Sequence, residues 1–150
     1  MTPAPAPRAS FSNADGRTVM LSELLGQRTI VLYFYPKDDT PGCTAEACMF
    51  RDHYEDFKDA GAEVVGVSSD DGATHDAFKE RHRLPFLLLT DPKGGAAKAF
   101  GVKKAFGLLP GRVTFVIDRG GIIRHRFDSQ LRVHKHVEEA LEIVRALEAG

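Results

Sequence analysis

Cysteine is nearly absent from this chain: Cys43 and Cys48 are the only two among 150 residues. Two cysteines cannot build a disulfide scaffold. A chain of this length, which buries roughly two-thirds of its unfolded surface as one domain, does not need one. An excess of charge is missing as well. The 20 basic residues meet 21 acidic ones, for a net charge of −1, which excludes a broad basic field for nucleic acid or an anionic membrane surface. Long apolar runs are missing too. The longest, residues 30–35, falls far short of the ~20 residues that a membrane helix needs. The opening Met1-Thr2-Pro3-Ala4-Pro5-Ala6-Pro7 has no apolar core segment of a secretory signal. A cytoplasmic location is therefore expected, with residues 1–8 as a flexible tail and 9–150 as a single domain. There is no glycine-rich nucleotide loop and no flavin fingerprint, so no cofactor is expected. Two cysteines and dispersed histidines do not match the usual zinc spacings, so no metal is expected. The charged fraction of 27% beside 43% apolar residues places the chain with ordinary folded proteins, not disordered ones.

What is present is an alternation of strand and helix patterns. Residues 17–21 and a segment near Phe11, joined through the Asp15-Gly16 turn, read as an N-terminal hairpin. Residues 22–25 read as a single helical turn. Residues 29–35 are apolar on both faces, as in a strand covered from both sides. A helix is expected from Thr44 onward, with Ala47, Phe50, Tyr54 and Phe57 at 3.6-residue spacing and Gly61 as its stop. Then come a strand at 63–67, a helix at 73–81 capped by Asp70 or Asp71, a strand at 87–89 and a short helix at 96–100. A hairpin over 113–117 and 122–127 turns at Asp118-Arg119-Gly120-Gly121, and a final helix covers 133–147. This order predicts an α/β fold, a mixed central sheet flanked by helices, with right-handed crossovers between its parallel strands.

The most specific segment is residues 35–48, YPKDDTPGCTAEAC. Cys43 follows Thr-Pro-Gly where a buried strand has ended and a helix begins. The first turn of a helix offers free backbone N–H groups and the positive end of the dipole, and both favour a thiolate over a thiol. Cys48, taken alone, reads as helix packing. His134 and His136 read as a solvated helix start. Arg51 and Asp52 read as a surface ion pair, or else as part of the active site. The apolar residues Phe106, Leu108 and Leu109 read as a pocket rim, a docking surface or a satellite of the core.

Pro36-x3-Thr40-x2-Cys43 matches the active-site motif of the peroxiredoxins. The longer run YFYPKDDTPGCTAEAC resembles their bacterioferritin-comigratory, or peroxiredoxin Q, branch, and LPGRVTFVID at 109–118 resembles the family's arginine-bearing strand. The resemblance covers about residues 11–147. It implies a thioredoxin-like fold and a thiol-dependent peroxidase reducing hydrogen peroxide and organic hydroperoxides. In this reading Cys43 attacks the peroxide and becomes a sulfenic acid. Cys48 then resolves it as an intramolecular disulfide, and thioredoxin recycles the protein. Thr40 hydrogen-bonds thiolate and peroxide, Pro41 shields the site, Pro36 shapes the loop, Arg112 supplies a fixed cation and Glu46 holds that arginine. An internal resolving cysteine needs no partner subunit, so a monomer is expected.

A thiol whose pKa falls from about 8.5 to about 6 gains roughly 30-fold in thiolate at pH 7 but loses about tenfold in nucleophilicity. The larger part of any rate enhancement must therefore act on the breaking O–O bond, for which Arg112 and Thr40 are the suited residues. On an ideal helix, residues five apart have Cα atoms roughly 8–9 Å apart, whereas a disulfide needs less than about 7 Å. A Cys43–Cys48 bridge thus requires the first turns of the helix to unwind. The competing readings are a general thiol–disulfide oxidoreductase, disfavoured because Cys-x4-Cys is not Cys-x2-Cys, and a non-catalytic redox sensor.

Overall fold

The computed structural model describes residues 3–105 and 109–149. Its axis is strand β4 (Thr29–Phe34), which follows β1 (Ala4–Pro5), β2 (Ser10–Ser12), β3 (Thr18–Met20) and the one-turn helix α1 (Leu21–Leu24). All six residues of β4 are buried, as the two-faced apolar pattern requires. After β4 come α2 (Pro41–Asp52), α3 (Tyr54–Asp59), β5 (Ala62–Ser68), α4 (Gly72–His82), β6 (Leu87–Thr90), a 3-10 turn (Pro92–Gly94) and α5 (Gly95–Ala99). The chain then runs through β7 (Lys104–Ala105), β8 (Leu109–Pro110), β9 (Val113–Ile117), β10 (Ile122–Asp128) and α6 (Val133–Ala149).

The main sheet has the order β1-β10-β9-β4-β5-β6-β2-β3, and β7 pairs with β8 separately. Strands β4, β5 and β6 are parallel, while β9 and β2 run antiparallel beside them. Alternate residues of β4 serve two cores. Val31 and Tyr33, with Tyr35 just past the strand, meet Phe50, Phe57, Phe78 and the α6 residues Val137, Ala140, Leu141 and Val144. Ile30, Leu32 and Phe34 meet Phe11, Leu21, Ala96, Phe100 and Phe115 on the other face. The mixed sheet with helices on both faces is thus the expected fold class. Gly66 makes room for it: a Cβ there would lie 2.9 Å from the Tyr33 hydroxyl and 2.8 Å from Leu88.

Several boundaries differ from those expected. Within the span 1–8, Ala4–Pro5 pairs with Ile122 and Ile123 of β10, and Ala6 N–H donates to Gly121. This short, proline-containing strand fits a sheet edge, where no ladder donor is missed. The helix expected from Thr44 begins earlier, at Pro41, and is interrupted at His53 (φ −102°, ψ 8°). His53 still donates to Met49 and accepts from Phe57. The apolar spacing runs through the break, so the pattern did not reveal it. Asp71, not Asp70, caps α4 by accepting from Thr74 N–H. Phe106 and Leu108, and the side chain of Leu109, lie outside the described residues.

Candidate active site

The loop from β4 to α2 places Cys43 on the face of the sheet covered by α2 and α6. Pro36 is buried, Lys37 is exposed, Asp38 is buried again, and Asp39 turns the chain with a left-handed φ of 65°. Pro41 then starts the helix, a position where its missing N–H costs nothing. Cys43 is therefore the third helical residue, in the turn whose N–H groups have no intrahelical acceptor, and it is buried. Thr40 precedes the helix but does not cap it with its side chain; its hydroxyl donates to Lys37 O at 2.9 Å. Pro41 is exposed and Thr40 half-buried, so the start of the helix reaches solvent there. Cys48 is half-buried one and a half turns on, and both thiols are free on a continuous helix.

Arg112 arrives from the residue before β9 and is 5% exposed. Its Nη1 donates to Glu46 Oε1 at 2.7 Å and its Nε to Gln130 O at 3.0 Å. A Cβ on Gly42 would lie 2.9 Å from Arg112 Nη2, so glycine two residues after Thr40 is what lets the guanidinium approach the helix start. Burial pulls the Arg112 pKa down, but Glu46 and the Cys43 sulfur beside it outweigh this and raise it. The guanidinium is a permanent cation against Cys43. Glu46 is fully buried, and burial pushes its carboxyl up to about 7 against the pull of Arg112. Its second oxygen, Oε2, has no hydrogen-bond partner among the described residues.

His136 stands behind Glu46. It is fully buried, which corrects the reading of His134 and His136 as a solvated helix start; only His134 is exposed. His136 Nε2 donates to Ser129 O at 2.7 Å, so Nδ1 accepts from the Thr114 hydroxyl at 2.7 Å. The ring is neutral, and burial pushes its pKa down to about 4. Nδ1 lies 3.8 Å from Glu46 Oε2, too far for a hydrogen bond. Spacing could have flagged this histidine, because residues 136, 140 and 144 form one buried stripe of α6.

Beneath the loop lies a second polar group. Asp38 accepts from the Tyr35 hydroxyl at 2.5 Å and faces His75 Nδ1 at 2.6 Å. Asp70 Oδ2 accepts from Asp38 N–H at 2.8 Å and from the Ser68 hydroxyl at 2.7 Å. Asp38, Asp70 and His75 have donor atoms within 4.8 Å of one another. These are metal-ligand types, but hydrogen bonds already engage both Asp38 oxygens, Asp70 Oδ2 and both His75 nitrogens. Arg51 pairs with Asp52 at the surface, and its Nη1 also donates to His82 O at 2.8 Å, tying α2 to the end of α4.

A model of the AhpC/TSA family matches residues 3–126. The chain belongs to that family. Within it, the chain is 48% identical over 143 residues to rice (Oryza sativa subsp. japonica) chloroplastic peroxiredoxin Q, covering 95% of this chain and 65% of that protein. It therefore spans slightly less than two-thirds of that curated relative. Solved structures agree: peroxidoxin BcpB from Mycobacterium tuberculosis is 36% identical, with a TM-score of 0.89 over 97% of both chains. Xanthomonas campestris peroxiredoxin Q is 32% identical, with a TM-score of 0.82 over 93% of this chain and 90% of that one. The fold is thus the thioredoxin-like fold of the peroxiredoxins, and the resemblance read from residues 35–48 and 109–118 points to the same branch.

In this AhpC/TSA chain, the expected site residues Thr40, Pro41, Cys43, Glu46 and Arg112 come together at one helix start, with Cys48 further along the same helix, while Pro36 lies buried in the loop that leads to it. The Asp38–His75 pair and His136 were missed. Each lies where a polar residue is ordinarily solvated, a loop or a charged helix.

Proposed function

We propose that the chain is a thiol-dependent peroxidase of antioxidant defence, acting on hydrogen peroxide and organic hydroperoxides. The observation that carries this is a buried Cys43 in the first turn of α2 with the Arg112 guanidinium held against it by Glu46 and Gln130. The Cys43 thiolate attacks one peroxide oxygen and a new S–O bond forms as the O–O bond breaks. The departing oxygen takes a proton and leaves as water or alcohol. Cys43 is oxidised to the sulfenic acid. Arg112 stabilises negative charge developing on the departing oxygen, where a fixed donor counts most. The Thr40 hydroxyl proton is directed at Lys37 O, which leaves the Thr40 oxygen free to accept the O–H of the peroxide and orient it.

Cys48 then attacks the sulfenic sulfur. An S–S bond forms, water leaves, and the first turns of α2 unwind to bring the sulfurs together. A dithiol protein, for which thioredoxin is our choice, reduces the bridge. The resolving thiol lies in the same chain, so a monomer suffices. A peroxidase assay coupled to thioredoxin and its reductase tests this with wild type, Cys43→Ser and Cys48→Ser. The first variant should abolish peroxide consumption; the second should leave the first oxidation intact and block recycling. Full activity in Cys43→Ser would end this assignment.

A further inference from the structure

The loop that carries Thr40 toward Cys43 buries an acid that no helix cap or turn accounts for. The side chain of Asp38 is wholly inaccessible and that of His75 nearly so. His75 Nε2 lies 3.1 Å from Leu89 O. A carbonyl only accepts, so Nε2 carries a hydrogen. Nδ1 then meets Asp38 Oδ2 at 2.6 Å across one further proton. Whichever atom holds that proton, the pair is neutral as a unit, and burying it leaves no uncompensated charge. Asp38 Oδ1 takes the Tyr35 hydroxyl, and the Asp38 N–H goes to Asp70, itself bonded to Ser68. The loop is thus referenced to the carboxyl ends of β4, β5 and β6 and to α4.

We propose that His75 is a positioning residue for the peroxide-reactive state: through Asp38 it fixes residues 37–40, and so holds Thr40 and the start of α2 in place around Cys43. The linkage is short. Asp38 follows Lys37, whose carbonyl receives the Thr40 hydroxyl. A displacement of about 1 Å at a reacting group can cost about 10²-fold in rate. The role rests on the peroxidase reading above. It separates two steps with opposite demands: attack on peroxide needs the loop held, whereas bridging to Cys48 needs the adjoining helix to open.

The test is rapid-mixing kinetics of reduced wild type, His75→Phe and His75→Asn, following sulfenic acid and disulfide formation separately. Intact mass at high peroxide reads the fraction of Cys43 carried on to sulfinic acid. His75→Phe keeps the shape and removes both hydrogen bonds. It should slow the peroxide step about tenfold or more, leave disulfide formation equal or faster, and lower the sulfinic fraction several-fold. His75→Asn sets an amide N–H where Nδ1 was and should recover most of the peroxide step. Equal slowing of both steps, an unchanged peroxide step, or no recovery in a folded Asn variant overturns the role. If His75→Phe does not fold, Asp38→Asn carries the same expectation of a slower first step and an unimpaired second. Wild type that consumes no peroxide overturns the peroxidase reading and this role with it. Active wild type beside unimpaired variants overturns the role of His75 alone.

Discussion

Asp38 and Glu46 are both buried acids in the segment that carries Cys43, yet their surroundings differ. Asp38 accepts from Tyr35 on one oxygen and shares a proton with His75 on the other, so that the pair is neutral as a unit. Glu46 has Arg112 on one oxygen and, among the described residues, no hydrogen-bond partner on the other, and burial lifts its pKa to about 7. A fully satisfied buried group holds shape, and its energy changes little while its partners stay. A half-satisfied one beside a cation keeps its energy sensitive to charge. The first therefore suits the proposed still loop, and the second suits the proposed reaction, in which charge comes and goes on Cys43 and the departing oxygen.

The contrast breaks most visibly at Arg112. Arg112→Met should lower the second-order rate with peroxide by about 10²–10³-fold, the loss typical for removal of one such donor, measured by stopped flow. It should also destabilise the fold, because Glu46 loses its one hydrogen-bond partner among the described residues; a chemical denaturation curve reads this. An Arg112→Met protein of full activity would remove the reason to treat the Glu46 side as the chemical one. Next in size is Thr40→Val, expected to slow peroxide attack about tenfold, the worth of one good hydrogen bond, when rates are compared at matched thiolate fraction. Equal rates there would take Thr40 out of the chemistry.

Stability against pH gives a subtler test. The folded pKa of Glu46 is raised to about 7, so the native state binds its proton more readily than the unfolded chain does. Its contribution is full below about 4.5 and is lost as pH rises to about 7. The folded pKa of His136 is lowered to about 4, so its contribution is full above about 6.5 and is lost as pH falls to about 4. The two slopes oppose each other between these limits. Glu46→Gln should uncover stability that rises with pH from about 4 to 6.5. His136→Asn should uncover stability that falls from about 4.5 to 7. Thermal melts across pH read both, and identical slopes in the two variants would dissolve the opposition. Smallest is Gly42→Ala: its Cβ presses on Arg112 Nη2, a movable side-chain end. The peroxide step should fall only a few-fold while melting is nearly unchanged; a loss as large as that of Arg112→Met would mean the guanidinium cannot yield.

Sequence reading went furthest where local chemistry decides the outcome. Residues 29–35 had to be a covered strand because both faces are apolar, and Cys43 had to stand at a helix start because Pro41 and Gly42 precede it. Arg112 lies 69 positions from Cys43, and only family likeness brought the two together. Hydropathy cannot foresee a polar residue buried through a distant partner. Asp38 in a DDTPG loop reads as a solvated turn until His75, 37 positions away, reaches it. His136 reads as a helix-start histidine until Thr114 and Ser129 close around it. The break at His53 was invisible for the opposite reason: it preserves the spacing of Phe50 and Phe57.

Both ends of the reactive stretch are fastened to the same spot. Asp39, just before α2, pairs with Arg81, and Arg51, near its end, donates to the carbonyl of His82. The two tethers meet adjacent residues at the close of α4. Between them the stretch is held from another side as well: Glu46 is tied to Arg112 ahead of β9, and Cys43, Ala47 and Phe50 pack in the core under α6. In the proposed oxidation the two end tethers to α4 need not move, whereas the Glu46–Arg112 contact and the core packing between them must yield. The proposed reducing partner would then meet a redrawn surface of about a dozen residues between two fixed ends.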